Sequence, residues 1–422
     1  MQPPLKDLLI GLGHPDLVQG GSPVVCRELF DELRSRAGIE CHMLTAVTRD
    51  AGAAYVPGGG ITAFDGRDNE YLFHVSDHDP WLHRNNDPRQ IDAFADLLAA
   101  LAPDVVHFHH FMFVGVDLIG ATRLARPDCR IVFTFHEFVA ICAADGHMVR
   151  RTDRSLCDRA SPLRCHQCVP AREPDDLLTR AMWLRRHLDL VDRFTCPSRF
   201  MTEPYVAWGL ARDKIDIVTN GQRSRAVPPL TDLPGPRNRF GFFGQLHDDK
   251  GVHIVLRAVE LLRGSGFTDF RIDINGGGIE HASPAIRHEI ETFQKAEQDR
   301  PAAERIVSFN GAYALDRIQS RMARIDWTLV PSVWWEIFGL VISEAWMFGK
   351  PVICSNVGGP AERVRHDIDG LHFEMGDPVS LAASIRRACS EEGLWDRLHA
   401  SLPEPPSRTA MGDGFMAVYR AG

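Results

Sequence analysis

Apolar residues in this chain come in short blocks, and two kinds of spacing alternate from block to block. KDLLIGLG (6–13) is a near-continuous apolar run and predicts a buried first strand. A glycine-bearing loop, HPDLVQGGSP, leads into VVCRELFDELRSR, where Val25, Leu29, Phe30 and Leu33 recur at helical spacing. IECHMLTAV (39–47) is the next strand, so the first unit reads strand, glycine loop, helix, strand. The alternation continues through a helix ending before Pro103, strands at 104–111 and 129–138, a helix at 175–191, and strands in RFTCPS and KIDIVTNG. Residues 50–90 and 145–175 show no such period and are expected to be loops.

A proline-rich, charged stretch at 222–239 breaks the pattern and predicts an interdomain linker. A second series then runs from RFGFFGQ (239–245) through VHIVLRAVELLRG, DFRIDINGGG, RIVSFNG, LDRIQSRMARI, DWTLVPS and GLVISEAWMF to KPVICS. The expected architecture is α/β: two Rossmann-like domains facing across a central cleft, 1–221 and 240–400, with a tail at 401–422 packing back on the first.

Composition changes this picture little. At 422 residues two domains are the default, and a formal net charge of −9 makes nucleic acid an unexpected partner. The apolar start meets glycines, His14 and Asp16 at once, which suits a first strand better than an export signal. No run of eighteen apolar residues is present, so no membrane span is expected. A cytoplasmic setting is expected, with contact to the inner face of a membrane left open for the basic and aromatic segment TRAMWLRRHLDL, which reads more readily as a solvated helix face.

The informative residues lie where strands are expected to end. In GFFGQLHDDKG (241–251), Lys250 stands beside an expected helix start, where a phosphate would satisfy both; a solvated lysine in a turn is the plainer reading. INGGG (274–278) lets a backbone approach a ligand or is simply a tight turn. SNVGGPAERV (355–364) repeats the theme. PSVWWEIFGLVISEAWMFGKP (331–351) sets two carboxylates, Glu336 and Glu344, in almost wholly apolar text, where an unpaired charge is costly. Glu336 is expected in a strand-end loop. Glu344 is expected one turn inside a helix, where it could accept two hydroxyls of a ribose or lie on the surface.

Taken together with GGSPVVCREL and FTFHEF, these segments resemble the retaining GT-B glycosyltransferases of family 4, most closely from 240 to 376. The resemblance implies transfer of a hexose from a UDP- or GDP-linked sugar to a glycan or lipid-linked acceptor in surface-polysaccharide synthesis, of the capsule, O-antigen or exopolysaccharide kind. It implies no metal in the chemical step. Residue by residue, Gly20 and Gly21 would near the donor phosphate and acceptor, and His136 would contact the transferred sugar. Gly244, Gln245 and Gly277 would line the donor site, and Lys250 would bind the diphosphate. Glu336 would hold the hexose, the backbone N–H groups of Phe338, Gly339 and Leu340 would face the phosphates, and Glu344 would hold the ribose. Gln245 departs from the arginine that such proteins commonly carry, and an amide supplies neutral donors in place of a charged fork. That departure supports a second reading, a nucleotide-sugar-binding partner subunit without turnover.

One motif stands outside the resemblance. Cys142, Cys157, Cys165 and Cys168 fall in a polar insert, 142–168, the last two as a CxxC pair. They could hold a structural zinc ion, remain thiols or, against the redox conditions of a cytoplasm, form disulfides.

Overall fold

The computed structural model describes residues 3–18, 20–223, 236–314 and 317–421. Most of the stretch expected to be the linker, 224–235, therefore lies outside the described residues. The chain divides into two compact units, Met1–Arg223 with Pro406–Gly422, and Ser224–Pro405.

The first unit contains β1 (Leu5–Gly11), β2 (Ile39–Val47), β3 (Ile61–Ala63), β4 (Glu70–His74), the short ribbon β5 (His78–Asp79) and β6 (Arg84–Asn85), then β7 (Val105–Phe108), β8 (Arg130–Thr134), β9 (Arg193–Cys196) and β10 (Ile215–Ile217). Its sheet has the order β10-β9-β8-β7-β1-β2-β4-β3. Only β3 runs antiparallel, against β4. Leu8, Leu9 and Ile10 of β1 are fully buried, as a central parallel strand covered on both faces requires. The chain winds outward from β1 in one direction and restarts from β7 in the other. The switch point therefore lies between β1 and β7.

The helix Arg408–Arg420 belongs to this unit and packs on the helix Gly21–Arg34. Arg36 joins them by donating to Asp413 at 2.8 Å and to the Thr409 carbonyl at 3.0 Å. Tyr419 on its inner face reaches His107 of β7 at 2.8 Å.

The second unit is simpler. Strands β11 (Arg239–Phe243), β12 (Arg271–Asn275), β13 (Val307–Phe309), β14 (Trp327–Val330), β15 (Val352–Ser355) and β16 (Gly370–Phe373) pair in the order β13-β12-β11-β14-β15-β16, every adjacent pair parallel. Phe240, Trp327, Ile272 and Ile353 from these strands share a core with Val255, Val259 and Leu262 of the helix Val252–Gly264 and with Leu381 and Ile385 of Pro378–Ser390. The switch point falls between β11 and β14.

Several elements differ from expectation, and the helices Asp117–Ala125, Arg199–Trp208 and Pro378–Ser390 went unread. Residues 50–90 are not loop throughout, because β4 adds to the edge of β2 with Met43 opposite Glu70. A strand that short shows too few alternations to be read, and sheet pairing decides it. The segment 145–175 contains the helix Pro162–Cys168. The helix Pro284–Asp299 went unread because it is polar nearly all round, burying only Ile290 and Glu297. It is anchored where Glu297 accepts from the backbone N–H of Ile306 at 2.9 Å and of Val307 at 3.0 Å.

Candidate active site

In the second unit the loops after β11, β12 and β14 touch backbone to backbone. A Cβ on Gly276 would lie 1.7 Å from the Gly244 carbonyl oxygen, so no side chain fits there. The Gly244 N–H donates to Asn275 at 3.0 Å and that of Leu246 to Gly277 at 2.8 Å. Gly251, at φ 71°, would place a Cβ 1.8 Å from the Pro331 carbonyl, and Val333 donates to the Asp249 carbonyl at 2.8 Å. Lys250 occupies a 3-10 turn, Asp248–Lys250, one left-handed glycine ahead of the helix it was expected to open.

This docking brings together two residues that lie 86 positions apart. Lys250 Nζ donates to Glu336 Oε2 at 2.6 Å. The Ser332 hydroxyl and the Trp334 indole N–H donate to the same oxygen at 3.2 and 3.1 Å. Lys250 also lies over the Trp334 ring, 5.3 Å from its centroid. Burial pushes the Glu336 carboxyl up, but the Lys250 charge and the three donors outweigh it and hold the group below its usual range. It stays ionised with its charge balanced, which answers why a carboxylate tolerates such apolar text.

Behind Glu336 stands the double glycine after β15. A Cβ on Gly358, at φ 66°, would lie 2.6 Å from the Glu336 carbonyl oxygen, and one on Gly359 2.2 Å from that of Ile337. Gly359 N–H donates to the Glu336 carbonyl at 2.7 Å. These glycines therefore shape the loop that carries the carboxylate. Arg363, from the same segment, donates to the carbonyls of Phe338 and Gly339 at 2.9 Å each and to the Ser343 hydroxyl at 2.7 Å. Its guanidinium stacks 3.7 Å from the Phe338 centroid, and burial lowers its pKa to about 9. Gly339, at φ 70°, caps the helix Leu340–Met347, so the first N–H groups of that helix follow directly on the Glu336 loop. Glu344, within that helix, is buried rather than on the surface.

Gln245 is exposed, with its stem 3.7 Å from where a Cβ on Gly278 would stand. Sequence reasoning did not single out Ser332, Trp334, Gly251 or Arg363. Ser332 and Trp334 lie within four residues of Glu336, but only the fold of the loop shows that their donors converge on one oxygen.

In the first unit, His136 follows β8 and His109 follows β7, and the two rings share a hydrogen bond of 3.0 Å. His107 bridges Tyr419 at 2.8 Å and Thr134 at 2.7 Å. Burial, then the charge of His110, pushes the His136 pKa down to about 3. Burial holds His107 and His109 well below their ordinary value. All three are neutral near pH 7. Gly20 and Gly21 are exposed and begin the helix Gly21–Arg34. Trp81 packs between the Arg172 and Arg180 guanidiniums, 4.6 and 5.5 Å from its centroid. In TRAMWLRRHLDL, Arg180 and Trp183 turn inward, to the carbonyls of Trp81 and Leu82 at 3.0 Å each. Cys142 directs its thiol to Asp145 and Cys157 to the Arg159 carbonyl. No group of three or more His, Cys, Asp or Glu among the described residues is arranged to hold a metal.

Two doubly wound units, the second with a glycine-walled ion pair at its switch point, define a class of two-domain enzymes, and comparison with known proteins says which. Residues 19–222 match the profile of Glycosyltransferase Family 4, and residues 237–391 that of glycosyl transferases group 1. A D-inositol 3-phosphate glycosyltransferase of Nocardioides is 30% identical over 402 residues, 91% of this chain and 81% of that one. The lipopolysaccharide core biosynthesis glycosyltransferase LpsD of Rhizobium meliloti is 28% identical over 277 residues, covering 62% and 74%. Among solved structures, HepE of Anabaena in complex with UDP and glucose superposes with TM-score 0.65 at 16% identity, covering 99% of this chain and 100% of that one. The chain belongs to the family 4 glycosyltransferases and has the GT-B fold. No helix among the described residues is long and apolar enough to cross a membrane.

Proposed function

We propose that this enzyme transfers a hexose, with retention of configuration, from a nucleoside diphosphate sugar to a glycan or lipid-linked glycan of a surface polysaccharide. The observation that carries the reading is the Lys250–Glu336 pair at the switch point of the second unit, 2.6 Å apart and walled by glycines. A leaving diphosphate needs preorganised positive charge, which Lys250 and the first amides of the helix Leu340–Met347 would supply. Three donors occupy Oε2 of Glu336, so Oε1 is the oxygen that would accept a donor-sugar hydroxyl. As the diphosphate departs, Lys250 turns from the carboxylate toward the growing charge. The acceptor hydroxyl attacks the same face of the sugar, and a phosphate oxygen takes its proton. Glu344 would hold the ribose. Neutral His136 in the first unit is suited to hydrogen-bond a sugar hydroxyl. The HepE structures contain UDP or UDP-glucose, which favours a uridine donor as the first to test.

The test is a panel of nucleotide sugars, read by thermal shift and by release of nucleoside diphosphate. Stabilisation by UDP or GDP, with acceptor-dependent release and an anomer that matches the donor, is the expected result. An inverted product would overturn the mechanism. The exposed Gln245 favours a second reading, a donor-binding subunit without turnover. Tight nucleotide binding with no release, with any acceptor fraction, would select it.

A further inference from the structure

The insert after β8 is ordered with almost nothing of its own to bury. From Arg150 to Glu173 no residue is buried, and the helix Pro162–Cys168 has no buried face. What holds it otherwise is polar and shallow. A single bridge joins Val149 to Leu156, Arg164 pairs with Asp158 at 2.7 Å, and Arg150 donates to Gln167 at 3.1 Å. Contacts of that kind contribute little each and do not replace a core.

Yet Cys142, Cys157, Cys165 and Cys168, drawn from both ends of the insert, line one small cavity of about 30 Å³. All four are half-buried, and none is in a disulfide. Arg150 and Arg164 line the same cavity. Arg180 pins the segment leading to Cys142 by donating to the Val139 and Ala140 carbonyls at 2.7 and 3.3 Å.

We propose that these four cysteines bind one zinc ion as a structural tetrathiolate that staples the insert to the end of β8. Soft thiolates in a four-coordinate set are the ligands zinc takes in structural sites. The step balances without redox chemistry. Four thiols release four protons, Zn²⁺ accepts four thiolates, and the resulting charge of −2 lies among the guanidiniums of Arg150, Arg164 and Arg180. As the thiols now stand they do not converge on a point, with Cys142 turned to Asp145 and Cys157 to the Arg159 carbonyl. Rotation of these side chains into the cavity they already line would bring each sulfur to about 2.3 Å from the metal. The ion has no part in sugar transfer, so the proposal stands or falls apart from the reading of the active site.

The experiment uses the full chain, purified under reducing conditions without chelator. Mercurial-triggered release into a zinc indicator should yield about one zinc per chain. The chain reconstituted with Co²⁺ should show an intense sulfur-to-cobalt charge-transfer band and tetrahedral d–d bands. Cys165→Ser and Cys142→Ser should lose the zinc, whereas Cys389→Ser, outside the insert, should keep it. Chelation should expose 150–173 to protease and lower the thermal midpoint. A zinc-free chain whose midpoint and protease resistance ignore added zinc would overturn the proposal. So would a pale, octahedral cobalt spectrum, which is read on the unsubstituted chain even if the serine variants fail to fold.

Discussion

Both units bury polar groups on or just beyond their central parallel strands, but by opposite means. The second unit keeps charge. Lys250 and Glu336 are ionised partners, and Arg363 is a half-buried cation held by two carbonyls and a hydroxyl. The first unit removes charge: His107, His109 and His136 are held neutral by burial, and burial raises the Asp7 carboxyl to about 8. A fixed charge pair suits a group whose charge changes during reaction. A neutral network suits orientation of hydroxyls, which carry none.

The sharpest way to break this contrast is Lys250→Ala. It should lower turnover by about a hundredfold, because a hydrogen bond to a charged group is worth roughly 1.5–3 kcal/mol and the diphosphate loses its cation. It should also cost about 3 kcal/mol of stability, the lower end for a broken buried pair, since Lys250 is partly exposed. Glu336→Gln should share the loss of turnover with a smaller stability cost. Steady-state transfer and urea unfolding separate the two effects, and full turnover in Glu336→Gln would refute its role at the sugar.

Gly359→Ala tests whether the glycine wall holds the carboxylate. Its Cβ meets the Ile337 carbonyl at 2.2 Å, so the Glu336 loop must shift. Overpacking of this kind costs about 1–3 kcal/mol, and transfer should fall at least tenfold while the rest of the unit stays folded by circular dichroism.

Glu344→Gln should act mainly on binding. Nucleoside diphosphate affinity, measured by calorimetry, should fall by about tenfold with a smaller change in turnover. Unchanged affinity would remove the ribose assignment.

The smallest effect belongs to the neutral network and is read in stability against pH. Histidines whose folded pKa is depressed leave the unfolded chain binding more protons below about pH 6.5. The first unit therefore loses stability as pH falls from there toward 3, the value to which His136 is lowered. Asp7 has the opposite sign. Raised to about 8, it binds its proton in the folded state, so its contribution is lost as pH rises from about 4 through 8. Below about 6.5 the three histidines outweigh it. Protection of β1, β7 and β8 amides from hydrogen exchange should peak near pH 6.5, and Asp7→Asn should flatten the alkaline side and steepen the acid side between about pH 4 and 6.5.

Much of the fold and the family was legible in the chain itself. Continuous apolar runs such as KDLLIG and helical spacing such as Val25, Leu29 and Phe30 report burial through local period, and the strands they predict form both sheets. The glycines at 276, 358 and 359 were readable as close approaches, because only a missing Cβ permits them, although what they approach was not. Short β4 and the polar helix Pro284–Asp299 were illegible. The first owes its form to an edge pairing with β2, and the second to one buried glutamate that caps a distant backbone. The site shows the same division. Sequence placed Lys250 and Glu336 at strand ends because strand ends follow from period. Only the tertiary structure decided that three donors share one oxygen of Glu336, that Arg363 braces its loop, and that Tyr419 near the chain's end completes a network begun at β7. Ser332 and Trp334 are near Glu336 in sequence and only the fold of the loop turns them onto it, whereas the other contacts join residues far apart, and local pattern carries no information about which distant side chain fills a partner's hydrogen-bonding need.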